Sequence, residues 1–241
     1  MTRLLFISLL LAFGAVHIVA LGAGLRLDQS RLIFQADQSQ HVVTLENDSD
    51  TVYLIQTNLR QGTIDGPISP QWLVTPPLFR LAPHSQQTVK ILPQMDLATL
   101  PRDRESLFYF SATALPALPK RREDTSSLAQ ISVATRLVIK LFYRPQGLSL
   151  SSEQAASHVT FTQRPGALCV NNPSPYYLTF SEMMGDGTPL AFPAGLMLAP
   201  YHHAVVPTST VLKHIQWRTI NDYGGNSTQF QAQVQTGGNK C

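Results

Sequence analysis

Two cysteines in 241 residues, 14% charged residues and no long apolar run after the first two dozen positions set the first limits on this chain. Later stretches fall short of the roughly 18 apolar residues a spanning helix needs, so no stable membrane insertion is expected. The chain has no Gly-x-Ser-x-Gly elbow, no His-Glu-x-x-His pair, no phosphate-binding glycine loop and no dinucleotide fingerprint. The hydrolase, metalloprotease, nucleotide and NAD chemistries that these motifs carry are therefore not indicated. His202 and His203 are adjacent, with His214 nearby, but neighbouring strand residues point to opposite faces and cannot easily hold one ion. They read as surface histidines. Glu123 and Asp124 lie in a turn-like loop with no apolar pocket to shift a pKa. No catalytic constellation, metal site or cofactor is expected, and the protein is not read as an enzyme.

Residues 1–23 combine Arg3, an apolar run broken only by Ser8, and small residues at positions 20–23. That is the pattern of a secretory signal peptide, cut near Gly22 or Ala23. Removing Arg3 with it leaves 17 Lys and Arg against 15 Asp and Glu, too even a balance for a nucleic-acid partner. The one cationic run, 120–122, is followed at once by Glu123 and Asp124 and reads as a solvated loop tip. In a secreted chain an even pair of cysteines is read as one disulfide, here Cys169 with Cys241. A loop of about 73 residues closed in this way contributes on the order of 4 kcal/mol in the chain-entropy model.

The rest of the chain reads as short strands separated by turn residues. Before position 145 the runs are 24–34, 41–46, 52–58, 72–75, 78–83, 88–92 and 107–110, with Pro76-Pro77 barring a central strand at that point. After a break at Pro145-Gln146-Gly147 the style repeats, at 158–163, 167–171, 176–182, 195–198, 203–207, 216–221 and 229–234. With no convincing helical stripe, the expectation is all-β: two β-sandwiches in series, 24–145 and 146–241.

Between them lies LAQISVATRLVIKLFYRP, residues 128–145. From 130 to 137 small or polar residues alternate with larger ones, the period of an extended strand; from 137 on nearly every residue is apolar. Lys140 breaks that run. A lysine between Ile139 and Leu141 is expensive to bury unless its ammonium reaches a partner, an open cleft or, on an edge strand, water.

Leu100-Pro101-x-Asp103-Arg104-Glu105-Ser106-Leu107-Phe108 resembles the signature of the periplasmic pilus-assembly chaperones of the chaperone–usher pathway, the PapD-like family. In family order and spacing follow Ile139-Lys140-Leu141-Phe142-Tyr143-Arg144-Pro145, Asn172-Pro173-x-Pro175-Tyr176-Tyr177 and Asn221-Asp222-Tyr223-Gly224, while Thr75-Pro76-Pro77-Leu78 precedes. The likeness covers nearly the whole chain after residue 23. Ser111 stands where the signature usually has Asn or Cys, and Thr135 where a larger aliphatic is usual.

The resemblance implies two immunoglobulin-like domains in an L shape, located in the periplasm, with pilus or fimbrial subunits and an outer-membrane usher as partners. It implies that a subunit lacking its last strand docks along residues 128–137, its groove filled by Ile131, Val133 and Thr135 (donor-strand complementation, a form of β-augmentation). It assigns Arg31 and Lys140 to the subunit's C-terminal carboxylate, and Glu105, Arg144 and Asp222 to an interdomain charge network. The short stretch 116–125 resembles the short-loop branch of the family. The competing reading is a secreted two-domain adhesive or carbohydrate-binding β-sandwich protein, which leaves Lys140 within a strand and Arg31 in register with it unexplained.

Overall fold

Alternation decides the architecture. In Tyr53–Gln61, the side chains of Tyr53, Ile55, Thr57 and Leu59 are buried while Leu54 and Gln56 face out, the period of two that a sheet with one covered face demands. The computed structural model describes residues 24–117, 132–237 and 241. The expected signal peptide, the charge run at 120–124 and Ile131 lie outside the described residues.

Nine strands form the first sandwich: β1 (Leu25–Leu27), β2 (Arg31–Gln35), β3 (His41–Asn47), β4 (Tyr53–Gln61), β5 (Trp72–Thr75), β6 (Leu78–Leu81), β7 (Ser85–Pro93), β8 (Ser106–Pro116) and β9 (Thr135–Arg144). They order as β1-β3-β7-β5 facing β2-β9-β8-β4-β6. Phe34, Val43, Leu45, Ile55, Phe110 and Leu141, all essentially inaccessible, fill the space between the sheets.

The second sandwich has its own core, with Phe161, Leu168, Phe180, Ile215 and Trp217 at its centre. Its strands are β10 (Thr160–Arg164), β11 (Ala167–Asn171), β12 (Leu178–Gly185), β13 (Thr188–Pro189), β14 (Met197–Leu198), β15 (His203–Pro207), β16 (His214–Thr219), β17 (Phe230–Gln233) and β18 (Gln235–Thr236). One sheet runs β15-β11-β10-β18, the other β13-β12-β16-β17 with β14 on β12. Cys169 on β11 is joined to Cys241 with Cα atoms 5.6 Å apart.

Three expectations need correction. The single strand at 24–34 is two strands in different sheets. Asp28 ends the first, its backbone N–H donating to the Thr44 carbonyl and its side chain accepting from the Thr44 N–H, and the chain crosses over before Arg31. The strand expected from 130 starts only at Thr135. Its partner β8 pairs with it no further than Ala114 opposite Thr135, so Ser132, Val133 and Ala134 outrun the ladder. A helix is also present, α1 (Ser152–Ser157), closed by a capping box in which Ser151 and Gln154 satisfy each other's backbone N–H groups. Six residues are too few to show a helical stripe in the sequence, although the cap was readable.

Candidate functional site

The site grows out of where β2 and β9 meet. They pair in parallel, with Arg31 opposite Lys140, Leu32 opposite Leu141 and on to Gln35 opposite Arg144. Only residues 140–144 of β9 therefore have a neighbour on that side. Residues 135–139 are bonded to β8 alone, and their other backbone edge is unpaired among the described strands. Position 128–137, expected to be an edge, is thus an edge over its described strand portion, whereas the rest of β9 is an interior strand.

Alternation sorts the side chains of β9 into two rows. Leu137, Ile139, Leu141 and Tyr143 face the first core. Thr135, at the last pair of the ladder, and Val133, beyond it, continue that same row, and Val133 is 71% exposed. The opposite row carries Arg136, Lys140 and Phe142. Arg31, in register with Lys140, shares that outward side, its guanidinium 5.8 Å from the Phe142 ring. Phe142 in turn packs against Tyr177 at 5.6 Å between centroids.

Arg31 Nη1 donates to the carbonyl of Ile220 at 3.0 Å, a bond from the first sandwich to the second, and its buried Nε has no partner among the described residues. Burial lowers the Arg31 pKa, against the pull of Asp222 and Glu105. Burial lowers that of Lys140 as well, and the neighbouring Arg31 charge adds to it. Neither cation forms an ion pair with a carboxylate among the described residues. Two half-desolvated cations side by side are electrostatically short of one anion.

Next to them one cation meets two carboxyls. Arg144 Nε donates to Glu105 Oε1 at 2.8 Å, while Nη1 and Nη2 reach the two oxygens of Asp222 at 2.7 and 2.9 Å. Ser152 Oγ donates to Asp222 at 2.9 Å, and the Tyr177 N–H donates to Glu105 Oε2 at 2.9 Å. The Arg144 guanidinium lies 5.0 Å from the Tyr176 ring. The two carboxyls respond in opposite directions. Burial pushes Glu105 up to about 7, despite the opposing Arg144 charge. Burial is the largest single influence on Asp222 too, but the bidentate bond and charge of Arg144, the Ser152 hydroxyl and the Arg31 charge together outweigh it and hold that carboxyl below its ordinary range. The two carboxylates together keep Arg144 above its ordinary range against the cost of its own burial.

These groups line a cleft of about 610 Å³ between the sandwiches, with Arg31, Phe142, Arg144, Tyr177, Asp222 and Tyr223 in its wall; Lys140 lies outside that lining. Sequence reasoning named the charged residues and passed over their supports, namely Phe142, Tyr176, Tyr177, Ser152 and the Ile220 carbonyl. The Tyr176-Tyr177 motif was visible but carried no role, because what it touches comes from the other sandwich. His202 bonds the Pro200 carbonyl at 2.7 Å and His214 lies 3.5 Å from Asp186. Among the described residues no group of three His, Cys, Asp or Glu is placed to hold a metal.

Comparison with known proteins places this geometry. Residues 24–149 match the family described as "Pili and flagellar-assembly chaperone, PapD N-terminal domain", and residues 154–231 match "Pili assembly chaperone PapD, C-terminal domain". The chain is 36% identical over 223 residues to the chaperone protein FimC of Escherichia coli (strain K12), covering 92% of this chain and 86% of FimC. The crystal structure of the periplasmic chaperone SfaE superposes with a TM-score of 0.70 at 30% identity, covering 88% of this chain and 100% of SfaE. That of the E. coli chaperone DraB gives 0.74 at 30% identity, covering 88% and 96%. These relatives are chaperones, not enzymes. With both domain families matched in series, the chain belongs to the PapD-like pilus-assembly chaperones of the chaperone–usher pathway.

Proposed function

We propose that the protein is a periplasmic chaperone that holds an incomplete pilus or fimbrial subunit by lending it a strand from β9 and then delivers it to an outer-membrane usher. The observation that carries this reading is the half-paired strand: residues 135–139 are bonded on one side only, and the open side runs into the Arg31–Lys140 pair. A strand added there gains backbone hydrogen bonds along the edge. If its C-terminal carboxylate sits between the two cations, it must run parallel to β9, with its end where β2 begins. The row of Thr135 and Val133, which has left the chaperone's own core, is then free to fill the core of the guest. Ile131 would extend the row by one more position. We assign the Glu105–Arg144–Asp222 cluster to holding the two domains, 24–145 and 146–241, at a set angle. The cellular compartment rests on the leader-like residues 1–23 and on the periplasmic relative SfaE. No helix among the described residues is long and apolar enough to cross a membrane.

The test is capture. A tagged full chain, expressed with the subunits of its own system, should co-purify with them. Arg31→Ala and Lys140→Ala should remain folded by circular dichroism yet retain no subunit, because removing a charge that meets a buried anion typically costs about 2–5 kcal/mol. Normal amounts of subunit on both variants would overturn the reading.

A further inference from the structure

The cleft holds one group that the carboxylate anchor leaves without a task. Tyr223 is 94% exposed, and its hydroxyl has no partner among the described residues. Its backbone is nevertheless among the most constrained parts of the second sandwich. Asn221 Oδ1 accepts from the N–H groups of Tyr223 and Gly225 at 3.1 and 3.0 Å, and Asn221 and Gly225 close the turn with a backbone bond of 2.8 Å. On one side Asp222 is gripped by Arg144 and Ser152. On the other, Gly224 has a φ of +84° and lies so close to the β1–β2 connection that a Cβ there would fall 2.0 Å from Ser30 Oγ. A constrained turn thus abuts the first sandwich through Gly224 and presents the neighbouring Tyr223 ring to solvent. Tyr223 is among the residues lining both the large cleft and an adjoining hollow of about 570 Å³ that also has Asp28, Ser30 and Arg31 in its wall.

We propose that Tyr223 reads the last residue of the bound subunit, favouring a terminal side chain of large apolar area over glycine. This rests on the function proposed above. A carboxylate held by Arg31 and Lys140 puts the terminal Cα one bond away, and its side chain then has to leave the anchor toward the walls beside Arg31. Among the wall residues named above, Tyr223 is the exposed aromatic, while Phe142 is already buried. The adjacent carboxylate, Asp222, is held by Arg144 and Ser152 and turned away from the role of a free anion in that wall. Pinning the turn at both sides means that only the side-chain rotamer, and not the backbone, has to be ordered on binding, which limits the entropic cost of the contact.

The experiment uses the tagged full chain and the subunit that co-purifies with it, identified by mass spectrometry, with the subunit's last residue replaced by Leu, Ala or Gly. In competition for wild-type chaperone, the Leu form should be retained about five- to tenfold better than the Gly form, the ratio expected for burying a few tens of Å² of apolar surface. Tyr223→Ala should reduce that ratio to under about twofold while Tyr223→Phe preserves it, since the ring and not the hydroxyl makes the contact. An unchanged ratio in Tyr223→Ala, with Arg31→Ala still losing all subunit, overturns the inference and leaves the proposed function standing. Capture that survives Arg31→Ala, or no capture by wild type, overturns both. A folding defect is distinguished by thermal melting, where a residue this exposed should leave the midpoint unchanged.

Discussion

Residues 140–144 and 135–139 are one continuous strand with one alternating pattern, yet they live under different rules. The first half has β2 on one side, β8 on the other and the opposite sheet beneath it. There Leu141, Phe142 and Tyr143 are buried and even an arginine, Arg144, is 9% exposed. The second half lacks one neighbour, and its inward row runs off the end of the core until Val133 stands in water. An open, apolar strand edge is ordinarily an aggregation hazard that proteins blunt with charge or cover. Here Arg136, along the edge, is paired with Asp65, while the two cations without a carboxylate partner sit at one end, where the proposed occupant would stop. On the function proposed above, the closed half holds the fold while the open half is kept for a guest, and each variant below probes that division.

The largest effect belongs to the closed half. Arg144→Ala leaves Glu105, 3% exposed, and Asp222 without their cation. Breaking a buried ion pair from one side costs about 3–5 kcal/mol. Chemical denaturation should show that loss; a drop under about 1 kcal/mol would mean that the cluster sets geometry without supporting stability.

A pH series sharpens the same point. The folded-state pKa of Glu105 is raised from 4.5 to about 7 by burial, so between those values the native state binds more protons than the unfolded state. Its contribution is therefore greatest below pH 4.5 and is lost as the pH climbs to about 7. Asp222, with a lowered pKa, acts in the opposite sense and loses its contribution only under more acid conditions. The stability difference between wild type and Glu105→Gln should shift in favour of the variant from pH 4.5 to 7. A constant difference across that range would contradict the assignment.

At the open end the effects move from stability to release. Thr135→Ile adds a few tens of Å² of apolar area to the donated row, worth about 1–2 kcal/mol to a complex with a roomy guest pocket. Donor-strand exchange, timed with a peptide from the next subunit, should slow accordingly. Equal or faster release would show that Thr135 is shaped to its particular partners instead of serving as a weak third contact. The smallest effect on stability is expected at the boundary itself. Lys140 is charged in a place that disfavours its charge, so Lys140→Met should leave the denaturation midpoint unchanged or slightly raised, within about 1 kcal/mol, while abolishing capture. A clear loss of stability would make Lys140 a structural residue.

Much of this was legible beforehand. The alternation of Tyr53–Gln61, the turn residues between the runs and the isolated lysine in an apolar strand announced two sandwiches and an unusual cation. The disulfide between Cys169 and Cys241 followed from having only two cysteines behind a leader-like segment. The errors have a common source. Reading 24–34 as one strand and starting β9 at 130 both came from local pattern, which reports that a segment can be extended but not which sheet receives it or where its partner ends. The supports of the site were missed for the same reason: Tyr177 beneath Phe142 and the Ile220 carbonyl on Arg31 are contacts between the two sandwiches.

By itself, then, the sequence determined the β character, the inward and outward rows of each strand and the oddity of Lys140, because these follow from side-chain periodicity and the cost of burying charge, whereas Arg31, Glu105, Arg144 and Asp222 were named through the family resemblance. Only the tertiary structure decided which edge stays open and which cations lack an anion. Those depend on where a distant strand happens to stop: β2 begins at Arg31, opposite Lys140, so the hydrogen-bonding groups of residues 135–139 are left without a partner on that side and two positive charges meet at the point where the pairing ends.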